Sequence, residues 1–176
     1  MKIGGVDPKS LSTEDFLVLP RGESEIVFRA VGVQDYGPFN ALCPEPSAPK
    51  IHKPKEGWVD NVEEPGYKEM MAIYQRRRLA WLIITSLEPS EIEWDVVDPD
   101  KPGTWTEWEQ ELKDSGLNQV ECNRVQNLVF QVNCLDEDKL SEAREAFILG
   151  QRVVQSASSG QNTEQESSPS GEPVTE

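Results

Sequence analysis

The sequence predicts a mainly α protein: a small irregular helical bundle with an N-terminal β-hairpin and a disordered C-terminal tail. Three observations carry this. Apolar residues recur at helical spacing through most of 67–147. Two short β-forming runs flank a Pro/Gly turn near the N-terminus. From about residue 155 the chain has almost no apolar side chains. Hydrophobic residues make up 36% of the chain, against roughly 45–50% in ordinary globular domains. The deficit is concentrated in the last stretch, so the remainder supports one modest core.

The elements follow in order. Residues 1–15 are polar with Gly4, Gly5 and Pro8, and are expected to form an irregular arm. A single helical domain is expected over 16–150. It opens with Phe16-Leu17-Val18-Leu19, a turn at Pro20-Arg21-Gly22-Glu23-Ser24, and Glu25 to Val31, a hairpin over 16–31. A lone hairpin is marginally stable, so it must rest on a helix or a partner.

Residues 43–66 hold Pro44, Pro46, Pro49, Pro54 and Pro65 and are predicted to be a loop or extended connector, since proline excludes helix and central strand. Lys50, His52, Lys53 and Lys55 make it locally basic. It reads as a docking strap or as a solvated linker.

Residues 67–87 carry Tyr67, Met70, Met71, Tyr74, Trp81 and Ile84 at helical spacing, interrupted by Arg76-Arg77-Arg78 and ended before Pro89. The arginine run is a solvated helix face or a grip on an acidic partner. Residues 88–103 are acidic and turn-rich. Thr104 and Glu107 have capping-box spacing and Gly116 suits a C-cap, which predicts a helix over 105–115.

Asn118 and Glu121 open the next helix, to about 133, with Val125, Leu128, Val129 and Val132 on one face. Asp136 can cap a further helix, with Leu135 and Leu140 spaced as a hydrophobic staple and Ala143 and Phe147 as its apolar positions, fading near Gly150. The tail over 151–176 is expected to be disordered.

Lysine plus arginine total 17 and aspartate plus glutamate total 32, a formal net charge of -15. Such a surface repels phosphate backbones and anionic lipid, so nucleic-acid and membrane partners are disfavoured. Cys43, Cys122 and Cys134 are odd in number and lack CxxC spacing, which suits a reducing, cytoplasmic setting. Cys122 and Cys134 sit in apolar-periodic stretches and read as small hydrophobes. The N-terminus has no apolar h-region, so no signal peptide is expected.

Catalytic chemistry finds little support. His52 is the one histidine, with no serine or cysteine elbow near it in sequence. No phosphate loop or zinc spacing is present, so no cofactor is expected. The best metal candidate is the loop from Asp98, where Asp98, Asp100, Gly103 and Glu109 fall at positions of a calcium-loop register. Pro102 occupies a ligand position, and the plainer reading is an acidic turn feeding a helix.

Five tryptophans remain. Trp81 lies in the apolar stripe and reads first as core. Trp105 and Trp108 share a helix face and read equally as core or interface. Tyr74, Trp81, Trp105 and Trp108 are the expected partner surface, with the hairpin edge as a second candidate.

The layout resembles that of the tail assembly chaperones of long-tailed bacteriophages. The resemblance rests on the hairpin from Phe16 to Val31, the aromatic and arginine-bearing helix from Tyr67 to Leu87, and the acidic turn from Asp95 to Gly103. It continues through TWTEWEQELKDSGLNQVECNRVQNLVFQVNCLD, ending Asn133-Cys134-Leu135-Asp136, one more helix and a polar tail.

It implies a protein that coats the helix-rich tape measure protein before the tail tube polymerises and is then displaced. The tail tube protein is a second candidate partner, and self-association is compatible with the role. The family it resembles often makes a second, longer product by ribosomal frameshifting, and the polar tail would suit the region where such an extension is appended. Alternatives are an acidic nucleic-acid mimic, a structural virion component and a calcium-binding regulator. Against the mimic, Lys113, Arg124, Lys139 and Arg144 are interleaved with the acids.

Overall fold

The computed structural model describes residues 2, 3, 5, 7, 14–55, 57–135, 137, 138, 140–146 and 148. Most of the 1–15 arm, Asp136, Phe147, Gly150 and the 151–176 tail therefore lie outside the described residues. The chain divides into two compact units, Met1–Leu135 and Asp136–Glu176.

The first unit opens with strand β1 (Glu14–Arg21) paired antiparallel to β2 (Ser24–Val31). The two-residue loop Gly22-Glu23 has Gly22 at φ +61°, the backbone that a type II′ hairpin turn demands. Period-two alternation buries Leu19, Phe28 and Ala30 on one face, with Leu17 and Ile26 half-buried beside them. The hairpin is the predicted one, extended by two residues at its start.

Helix α1 (Gly37–Leu42) follows, with Pro38 in its first turn and the Asp35 carboxylate accepting the Gly37 N–H at 2.8 Å. It was not anticipated, and its Phe39 is fully buried. The proline-rich stretch also departs from the expected loop. It holds a second small hairpin, β3 (Lys50–Lys53) against β4 (Gly57–Asp60), closed at its base by Asn61 N–H to Pro49 C=O at 2.7 Å. The prolines permit this because Pro49 precedes β3 and Pro54 lies in the turn, so none removes a ladder hydrogen bond.

Helix α2 (Pro65–Ser86) starts two residues earlier than predicted. Pro65 is at its first position and the Glu64 carboxylate accepts the Tyr67 N–H. Besides Tyr74, its buried residues lie in the second half, Ala80 to Ile84 and Ser86, with Leu87 buried just beyond its end. A 3₁₀ turn at Glu88–Ser90 lies beside β2, where the Ser90 hydroxyl bonds both the N–H and the C=O of Arg29.

A 3₁₀ turn, Trp105–Glu107, leads into α3 (Trp108–Asp114). The Thr104–Glu107 capping box does not form. The Thr104 hydroxyl instead accepts the Asp98 N–H at 2.9 Å and reaches the Lys101 C=O at 2.9 Å, closing the preceding loop. Gly116, at φ +102°, ends α3 in a Schellman motif. Leu117 N–H bonds Leu112 C=O, Gly116 N–H bonds Lys113 C=O, and Leu112 and Leu117 are both buried.

Helix α4 (Gln119–Val132) has the predicted Asn118–Glu121 capping box and buries Cys122, Val125, Leu128, Val129 and Val132. It ends in the same motif as α3, but with Cys134 at the left-handed position, φ +55°. Cys134 is exposed there, so it is not the small core hydrophobe the sequence suggested. In the second unit, 137, 138, 140–146 and 148 are helical, and Leu140 is exposed.

Candidate partner-binding surface

The four residues expected on a partner surface are core residues. Tyr74, Trp81 and Trp108 are buried and Trp105 is 0% exposed. Phe39 gathers three of them, with ring centroids 5.4 Å from Tyr74, 5.5 Å from Trp81 and 6.0 Å from Trp105. A buried indole still needs a partner for its N–H. Trp105 Nε1 donates to the C=O groups of Asp98 and Pro99, both at 3.0 Å. The correction is physical: these rings have too little area left to bury against another protein.

The same hydrogen bonds show what the Asp98 loop does. Asp98 Oδ1 accepts the Asp100 N–H at 3.0 Å and Oδ2 pairs with Lys101 Nζ at 2.6 Å. Those bonds, the one to Lys101 first, lower the Asp98 pKa. Glu109 pairs with Lys113 at 2.7 Å and accepts from Gln119 Nε2 at 2.8 Å, which lowers its pKa in that order of importance. Among the described residues no group of three His, Cys, Asp or Glu side chains is placed to hold a metal ion. The loop is a clasp on Trp105.

Three further joints fix the framework. Arg21 and Glu121 form a bidentate pair between the hairpin turn and the start of α4. Arg21 first, then the Asn118 N–H, hold the Glu121 carboxyl down at a pKa of about 2. At the far end, the Asn133 amide accepts the Val33 N–H at 2.9 Å and donates to Ser86 Oγ at 2.9 Å and Val129 C=O at 2.8 Å. Glu111 on α3 accepts the consecutive N–H groups of Asp95, Val96 and Val97, which holds the acidic turn in place.

What remains exposed lies elsewhere. The outward face of the first hairpin presents Phe16, 65% exposed, with Val18 and Val27, which are directly paired across the strands. The β3–β4 hairpin presents Trp58, 70% exposed, edge-on to His52 at 5.5 Å. The signal for the first was present in the sequence: Phe16 and Val18 alternate with Leu17 and Leu19, so a strand that buries one set must expose the other.

Cys43 and Cys122 are buried, and burial pushes the Cys122 thiol up. Among the described residues no helix is long and apolar enough to cross a membrane. No protein-family model matches the chain, and no curated protein or solved structure matches it.

Proposed function

We propose that this chain is a non-catalytic, protein-binding assembly chaperone. It shields apolar helix faces of a phage tape measure protein in the host cytoplasm until the tail tube forms. The single observation that carries this reading is the outward face of the β1–β2 hairpin. Phe16, Val18 and Val27 form a contiguous apolar strip on a chain of net charge -15. Apolar strips left on a highly charged surface favour protein contacts, and the charge keeps a complex soluble. One strip gives a weak contact, and repetition along an extended partner gives avidity that still permits release.

Co-expression with a tape measure protein followed by pull-down tests it. The partner is expected to become soluble and co-purify, and Phe16→Asp with Val18→Asp to abolish both effects without altering the fold. A partner that stays insoluble refutes the reading. Recovery of the chain in purified particles would assign a structural virion role instead, and displacement of DNA from a basic protein would assign mimicry.

A further inference from the structure

The first half of α2 carries a surface of different chemistry from the hairpin strip. Its Met70, Ile73 and Tyr74 face the segment after α1, and with Pro44 and Pro46 they bound a groove of about 270 Å³ whose wall includes Arg77. Met70 is 48% exposed and Arg77 is half-buried. Among the described residues no hydrogen bond, ion pair or ring contact engages the Arg77 side chain.

Among the described residues Arg76 is likewise unpaired, but it is exposed, whereas Arg77 is half-buried in the groove wall. Its neighbour Arg78 lies over the Tyr36 ring at 5.1 Å, and Arg21 and Arg29 each find a glutamate. The groove is also rigid on one side. Pro44 and Pro46 fix the backbone, and the Cys43 N–H to Phe39 C=O bond at 2.8 Å ties that segment to α1. A preformed wall lowers the ordering cost of a ligand, and Met70 supplies an adaptable floor.

We propose that this groove docks an acidic peptide segment of a partner protein. One apolar side chain seats on Met70 and Ile73, and a neighbouring carboxylate pairs bidentately with the Arg77 guanidinium. The volume lies below the roughly 300–1,000 Å³ of small-molecule pockets, which favours a side chain over a free metabolite. The planar, permanently charged fork of arginine matches a carboxylate. The surrounding negative charge repels acidic partners at long range, so only a segment that makes the short, partly desolvated pair is held. The inference goes beyond the chaperone reading and uses a different surface, so either can fail alone.

The test is a heteronuclear NMR titration of the full chain with the blocked peptide Gly-Glu-Leu-Glu-Gly and its counterpart Gly-Lys-Leu-Lys-Gly. The acidic peptide is expected to move the amide resonances of Cys43, Met70, Ile73 and Arg77, with the lysine peptide at least about tenfold weaker. Arg77→Glu should weaken the acidic peptide by at least about tenfold, whereas Arg76→Glu, one position along on the exposed face, should change it by less than about threefold. Unchanged circular dichroism of both variants separates lost docking from lost folding. Equal binding of the two peptides, equal effects of the two variants, shifts centred on the 50–60 hairpin, or no shifts at about 10 mM peptide would each overturn the proposal. So would a groove already occupied by a second copy, seen as concentration-dependent shifts without peptide.

Discussion

Replacing Phe39 by alanine is expected to be among the most damaging single changes available to this fold. Phe39 is 0% exposed and its ring lies within 6.0 Å of the Tyr74, Trp81 and Trp105 rings. Removing a buried phenylalanine side chain costs about 3–5 kcal/mol through lost transfer and the cavity left behind. A domain of this size has about 5–15 kcal/mol in all, so the variant loses about a fifth or more of its stability. Phe39→Leu separates the two contributions. It refills most of the volume, which alone costs less than about 1.5 kcal/mol, but it forfeits three ring pairs worth about 0.5–1.5 kcal/mol each.

Urea denaturation followed by far-ultraviolet circular dichroism gives both values, with an unchanged slope confirming that the native state is still compact. At about 4 °C per kcal/mol, the alanine variant should melt about 12–20 °C lower. A loss under about 1 kcal/mol for Phe39→Ala would refute the reasoning, because the aromatic cluster could not then be central to the core.

Two further outcomes follow from the joints and the helix ends. Glu121 has a folded pKa of about 2, below its ordinary value, so its stabilising contribution is complete above the unfolded pKa of about 4.3 and disappears as pH falls towards 2. Melting temperatures measured across that window should fall less steeply for Glu121→Gln than for the natural chain, and parallel curves would contradict this. Cys134 holds a left-handed backbone, φ +55°, at a helix end where glycine is unstrained. Cys134→Gly should therefore raise stability by about 0.5–1 kcal/mol, read from the urea midpoint, and a loss would show that the thiol contributes something the geometry does not reveal.

Legibility followed how local each signal was. The first hairpin and α4 could be read because their instructions are contiguous: alternation around Gly22 in one case, the Asn118–Glu121 box and an apolar stripe in the other. The β3–β4 hairpin was hidden by proline density, since composition does not say whether a proline lies in a strand or beside it. Helix α1 was too short to show a period, and its Phe39 matters only through rings far away in sequence. The partner surface was misplaced for a related reason. Large aromatic rings serve cores and interfaces alike, and only tertiary packing shows that Trp105 is enclosed while Trp58 is exposed. Arg77 offered no signal at all, because only the folded chain brings it to the groove beside Met70, Ile73 and the proline segment.

The Arg21–Glu121 and Val33–Asn133 joints have a kinetic consequence. Each spans 100 residues of sequence, and closing a chain loop of that length costs about 4 kcal/mol of entropy. The spans run in step, so whichever joint closes first brings the other nearly into register, and the two behave as one cooperative event. Neither can close during synthesis until residue 121 or 133 has left the ribosome. Until then the N-terminal hairpin has no α4 to rest on, and the strip around Phe16 is not yet the only apolar face it shows to the cell. A slow, late folding step is therefore built into the order of the chain.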